Sequence, residues 1–232
     1  MRPYLMFIDT EASGLPKKWN VPYSQDDNWP HIVQLSWLVC TRDGKEVKRQ
    51  DYYINNNDFK SAASAIQIHG ITEEFRQRRG KDRSAVMSLL AADLLEYSPL
   101  IVGHFTELDL HMIGADFYRS GMENPALTLP SFCTMMATSH FVRNPQMKYV
   151  RLGELYSTLF HRKLENQHNA LADAKATADC FFELLKNGDI NDAKIENQQA
   201  EMDKVKAEIK STGYGIPVLI VFLLTVLIAF LL

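Results

Sequence analysis

The order of apolar segments predicts an α/β fold: a mixed sheet flanked by helices, continued by a C-terminal helical stalk and a transmembrane helix. Three observations carry this. Three strand-like runs come first, two of them joined by a tight turn, which is an antiparallel start to a sheet. Beyond residue 84, short strand-like runs alternate with amphipathic helical stretches, the pattern of helices packed on a sheet. The chain then closes on Ile216 to Leu232, where Thr225 is the only polar side chain.

Tyr4 to Ile8 is the first strand, and it ends abruptly in Asp9 and Glu11. Residues two apart on a strand share a face, so both carboxylates aim the same way. Residues 12–30, with three prolines and two tryptophans, form an irregular insert. Ile32 to Val39 is the second strand. Asp43-Gly44 marks a hairpin turn into the third, Val47 to Ile54. Ser61 to Ile68 fits a short helix stopped at His69-Gly70. Arg76 to Arg83 is a basic cluster that suits either a solvated helix surface or phosphate contacts.

Residues 84–97 read as an amphipathic helix through Val86, Leu89, Leu90, Leu94 and Leu95. Leu100 to Gly103 is an apolar run suited to a strand buried on both faces. Helices are expected over 106–120, 133–142, 152–160 and 170–185, the last stopped by Asn187-Gly188, with a weaker strand at Leu127 to Phe132. Residues 189–211 alternate in charge and carry Ile195, Met202, Val205 and Ile209 at heptad-like spacing, a polar helical stalk able to self-associate as a homodimer.

The chain of 232 residues is 46% hydrophobic and 23% charged, enough to bury a full core. A net charge of −3 does not advertise a nucleic-acid partner, although carboxylates that hold metal ions drop out of that count. Cys40, Cys133 and Cys180 are far apart, with no zinc-like spacing, and read as buried thiols of a reducing compartment. Met1-Arg2-Pro3-Tyr4 runs almost directly into a strand, which predicts no leader peptide. At the other end, residues 213–232 are uncharged and span about 30 Å as a helix, the thickness of a bilayer's hydrocarbon. Lys204, Lys206 and Lys210 precede this tail, so the positive-inside bias places the large domain on the cytoplasmic face.

Two further acids suit the first pair. Asp109 follows the buried run 100–103, and Asp173 lies one turn into the long final helix among Leu171, Ala172, Ala174 and Ala176. His168 stands five residues before it, at the helix start, where a neutral imidazole is favoured and can serve as a general base. Four carboxylates can hold two hard divalent cations about 4 Å apart, the arrangement that clamps the attacking and leaving oxygens of phosphoryl transfer.

In this order and spacing the residues resemble the DEDDh 3′→5′ exonucleases, the ribonuclease H-like group that includes the proofreading subunit of the bacterial replicative polymerase, ribonuclease T and the three-prime repair exonucleases. Asp-x-Glu falls on Asp9 and Glu11, the Asp after a Gly-His pair on Asp109, and His-x-x-x-x-Asp on His168 and Asp173. Ile68-His69-Gly70-Ile71-Thr72 and Gly153-Glu154-Leu155-Tyr156 are also family-like, and the likeness runs from about residue 4 to 186. A tyrosine subclass would place Tyr at Asn169, so the histidine subclass fits.

The resemblance implies a ribonuclease H-like sheet and two Mg²⁺ or Mn²⁺ ions held by Asp9, Glu11, Asp109 and Asp173. It implies that His168 takes the proton of the attacking water and that a 5′-mononucleotide leaves the 3′ end of DNA or RNA. Thr10 and Ala12 backbone groups, with His69, are implied at the terminal nucleotide. Phe105 stands where the family often has Asn and bears on that same nucleotide. Trp19 or Trp29 either stacks on bases or anchors the insert.

The chain divides accordingly into an exonuclease domain (1–188), a stalk (189–212) and a membrane tail anchor (213–232). A non-catalytic nucleic-acid-binding or scaffold module of the same fold is the alternative, disfavoured because all five catalytic-type residues are present. No polymerase partner is evident in the sequence.

Overall fold

The computed structural model of the protein describes residues 2–213, except Asp26, Arg143 and Pro145. Five strands form one mixed sheet in the order β3-β2-β1-β4-β5. β1 (Tyr4–Ala12) is central. It pairs antiparallel with β2 (Ile32–Thr41) and parallel with β4 (Leu100–Gly103). β3 (Glu46–Tyr53) and β5 (Ser131–Cys133) form the edges. The Asp43-Gly44 hairpin is present, with Gly44 at φ +89°, a conformation that glycine adopts without steric cost.

The two faces of β1 bury against different helices. Leu5 and Phe7 pack with Phe132, Ala174, Phe181 and Leu184, so this face lies under α7 (Ala170–Asn187). Met6 and Ile8 belong to the opposite core, with α3 (Arg83–Tyr97) and α4 (Thr106–Arg119). Strand alternation therefore puts Asp9 and Glu11 on the α7 side and Thr10 on the α4 side. The site is a consequence of that parity.

Most predicted elements form. α1 (Ala63–His69) stops at Gly70 in the left-handed region, and α7 stops in the same way at Gly188. α2 (Glu73–Arg79) begins on a Thr72 side-chain cap, and α6 (Leu152–Phe160) lies where its apolar spacing predicts. The weak fifth strand is shorter than expected. Pro125 to Thr128 turn instead as a 3-10 segment capped by Asn124, and pairing begins only at Ser131. The expected helix 133–142 is broken into α5 (Thr134–Ala137) and a 3-10 turn, Ser139–Phe141. In α3, Leu95 is 71% exposed, so the apolar face is narrower than the sequence reading.

The 189–212 stalk is a helix, α8 (Asp192–Gly213), but it does not stand free. Ile195, Met202 and Ile209 are buried in the domain's own cores, so the heptad-like stripe expected to self-associate is already covered. Two consecutive glutamines explain the docking. Gln198 accepts from the Cys133 N–H (2.6 Å) and donates to its carbonyl (3.2 Å); Gln199 does the same at Ser131 (3.2 and 2.9 Å). The free edge of β5 is thus satisfied by side chains, which removes an exposed pairing edge. Lys206 Nζ, buried beside them, donates to the Leu129 carbonyl.

Among the described residues no helix is long and apolar enough to cross a membrane. The expected membrane anchor lies, from residue 214 onward, outside the described residues.

Candidate active site

Asp9 and Glu11 stand near the end of β1, opposite Ser36 and Gln34 of β2, with a register shift between Glu11 and Ala12. Asp173 enters from the first turn of α7 and Asp109 from the first turn of α4. One ligand atom each from Glu11, His168 and Asp173 lies within 4.8 Å of the others. The third motif therefore meets the first in space, as the sequence order requires.

Hydrogen bonds fix each acid. Thr10 donates to Asp109 Oδ1 twice, from its backbone N–H (3.0 Å) and its hydroxyl (2.8 Å). The Thr10 N–H, expected at the terminal nucleotide, is given instead to this carboxylate. The His168 N–H donates to Asp173 Oδ2 (2.8 Å), while Asp173 Oδ1 is buried and has no hydrogen-bond partner among the described residues. His168 has φ +64°, a left-handed backbone that a non-glycine residue adopts only when its neighbours hold it there. Its side chain is exposed.

The carboxyls are all raised above their ordinary range. Burial raises Asp9, and the nearby Asp109, Asp173 and Glu11 raise it further. Burial, then Asp173 and Asp109, push Glu11 up to about 8. Asp109 reaches about 7, raised by burial although the two Thr10 bonds pull it down. Asp173 is raised by burial and partly relieved by the His168 N–H. Among the described residues, no lysine or arginine acts on these four acids. Clustered oxygen donors, mutual repulsion and an orphaned carboxylate oxygen are what a hard divalent cation relieves. The residues fit such ions.

The other predicted residues fall around this centre. Ala12 follows the strand irregularity, and its backbone, with His168, acts on the half-buried His69. His69 Nδ1 accepts from the Ile71 N–H (2.9 Å), and burial lowers its pKa, so the ring is neutral with its proton on Nε2. Phe105, at φ +72°, precedes α4, its ring centroid 5.9 Å from that of Trp19. The Phe105 aromatic is thus met by an aromatic of the insert.

Trp29 is 1% exposed, stacks on His111 (4.7 Å, 12°) and donates from Nε1 to the Val21 carbonyl (3.0 Å). It anchors the insert and is not available to stack on bases. Trp19 is half-buried and lies between Phe105 and His111.

The basic cluster divides similarly. Arg76 is buried over the Phe59 ring and donates to the Ile54 carbonyl (2.7 Å). Arg83 grips Asp58 (2.6 and 2.9 Å). These two hold the fold, whereas Arg78, Arg79 and Lys81 are exposed.

One residue the sequence reading passed over is Gln34. It is fully buried in β2, and its Oε1 accepts from the Ala170 N–H (3.1 Å) at the start of α7. The signal was a polar side chain inside the otherwise apolar run Ile32-Val33-Gln34-Leu35.

Comparison with known proteins places this geometry. Over residues 6–181 the chain matches the RNase T exonuclease family. No curated protein sequence matches it. Among solved structures it is similar to E. coli exonuclease I bound to a dT13 oligonucleotide, with 18% identity, a TM-score of 0.64, and coverage of 80% of this chain and 41% of that one. The complex of the same enzyme with dA16 gives 17%, 0.66, 84% and 42%, as does its zinc-bound complex with single-stranded DNA. The chain spans about two fifths of the length of that enzyme, and at these identities the likeness is one of fold. Family and fold agree on one kinship: the chain belongs to the RNase T family of exonucleases, the DEDDh 3′→5′ exonucleases of the ribonuclease H-like group.

Proposed function

We propose that this chain hydrolyses nucleic-acid 3′ ends, single-stranded DNA or RNA, one nucleotide at a time, using two Mg²⁺ or Mn²⁺ ions. The observation that carries the reading is the convergence of four carboxylates, with raised pKa, at the end of the central strand, where among the described residues no lysine or arginine acts on them. Asp9, Glu11, Asp109 and Asp173 are the residues that would hold the ions. The chemistry such ions supply when bound is charge stabilisation of the attacking and leaving oxygens.

His168, exposed beside Asp173, accepts the proton of the attacking water. The water oxygen bonds to the terminal phosphorus, and the bond from that phosphorus to the preceding O3′ breaks. A 5′-mononucleotide leaves and a 3′-hydroxyl remains on the shortened strand. The His69 ring, the backbone of Ala12 and the Phe105 ring line the place of the 3′ nucleotide. Thr10 serves that place through Asp109. An open groove of about 510 Å³ beside His168, with His69, Gln167, Asn169 and Lys175 in its wall, accommodates the strand. The oligonucleotides bound by exonuclease I support single-stranded DNA as the first substrate to try.

The apolar residues 213–232 anchor the enzyme in a membrane, with the catalytic domain on the cytoplasmic face. Digestion of 5′-labelled single-stranded DNA, duplex DNA and RNA, with Mg²⁺ and with Mn²⁺, tests the activity. Wild type should shorten at least one substrate from the 3′ end, and Asp9→Ala or His168→Ala should abolish this. Undiminished activity in either variant would sink the reading. Removal of residues 212–232 should give a soluble, fully active protein.

A further inference from the structure

We infer that Gln34 is a positioning residue for His168, an inference that rests on the proposed hydrolytic role of that histidine. Gln34 lies in the sheet directly across from Glu11, fully buried. Its Nε2 donates to Asp51 Oδ1 (2.8 Å), which also accepts from Ser36 Oγ (2.7 Å). Asp51 accepts only, and so fixes which end of the amide faces which way. The Oε1 end must face the start of α7. There it accepts from the Ala170 N–H (3.1 Å) and from Asn169 Nδ2 (3.4 Å). Asn169 is the N-cap of α7, its Oδ1 accepting from the Ala172 N–H (3.2 Å).

The chain is thereby clamped at the two residues after His168, while Asp173 holds the His168 N–H on the other side. A left-handed turn at a non-glycine residue persists only where surrounding contacts over-determine it. Gln34 supplies that constraint from within the sheet. The same sheet face carries Glu11, so the base and the metal-binding acid are referred to one rigid element.

The test uses Gln34→Leu, Gln34→Glu and the pair Q34E/D51N in the full-length protein. Q34L should lower kcat by about 10²-fold, the cost of a displaced catalytic group, with KM little changed. Q34E sets a carboxylate against Asp51 and should also lower kcat. Q34E/D51N restores a donor facing an acceptor and should recover activity to within about threefold.

Amide hydrogen exchange supplies a readout independent of turnover. In Q34L exchange should rise at His168, whose N–H touches Asp173 and not Gln34. Faster exchange at Ala170 alone, or a Q34L kcat equal to that of wild type, would reduce Gln34 to a helix cap and overturn the inference. If wild type releases no nucleotide, the proposed function fails, and the exchange at His168 still decides the role of Gln34.

Discussion

Thr10 and Asp109 are joined twice, by the backbone N–H (3.0 Å) and the hydroxyl (2.8 Å) of one residue to a single carboxylate oxygen of the other. The pair ties the central strand to α4 and turns an acid from the opposite face of the sheet toward Asp9 and Glu11. Thr10→Val keeps the N–H bond and the side-chain shape but removes the hydroxyl donor. Groups that orient a metal ligand are worth about 10- to 100-fold in affinity. The variant should bind Mn²⁺ about tenfold more weakly in a calorimetric titration, and unchanged affinity would contradict this role.

Stability should fall with rising pH when divalent ions are chelated. Glu11 and Asp109 rise from ordinary values of 4.5 and 3.8 to about 8 and about 7 in the folded state. Across that window the folded protein keeps protons that the unfolded chain has released, so stability is lost as pH increases. Added Mg²⁺ binds the ionised carboxylates and should offset the loss, most strongly near the upper end of the window. Thermal melts with chelator and with Mg²⁺ check both parts. A chelated protein that melts higher at the upper end would show the sign to be wrong.

The two tryptophans of the insert should behave differently. Trp29→Ala removes a fully buried ring stacked on His111 and should cost about 3–5 kcal/mol in urea unfolding. Trp19→Ala removes a half-buried ring beside Phe105 and should cost less stability while weakening single-stranded DNA binding. Equal destabilisation by the two changes would refute the distinction.

Asp116 should be the most sensitive charge outside the site. It is fully buried between Arg83 (3.4 Å) and Arg119 (2.8 Å), and Arg119 also donates to the carbonyls of Trp29 (2.6 Å) and Pro30 (3.0 Å) at the foot of the insert. Asp116→Ala leaves two arginines facing each other without their shared acid, a loss of about 3–5 kcal/mol. Denaturant unfolding monitored by tryptophan fluorescence measures it.

Much of this was legible because it is local. The Asp43-Gly44 turn, the Gly70 and Gly188 helix stops and the spacing of α6 and α7 rest on backbone preferences a few residues long. The shared face of Asp9 and Glu11 follows from strand parity alone. What misled was composition read without partners. The cluster from Arg76 to Arg83 suited either a solvated helix surface or phosphate contacts, yet Arg76 and Arg83 are taken up by the Ile54 carbonyl and by Asp58. The stripe on α8 suited another helix equally well, because heptad spacing specifies an apolar face and not its cover.

The sequence by itself singled out five candidate residues, Asp9, Glu11, Asp109, His168 and Asp173, and the order in which the chain delivers them. The tertiary structure decided how they are held. Thr10 serves Asp109, Gln34 reaches the start of α7, and Gln198 and Gln199 close the edge of β5. Each of these bonds joins residues far apart in the chain. Local periodicity records which face a side chain takes; only packing decides what meets it there.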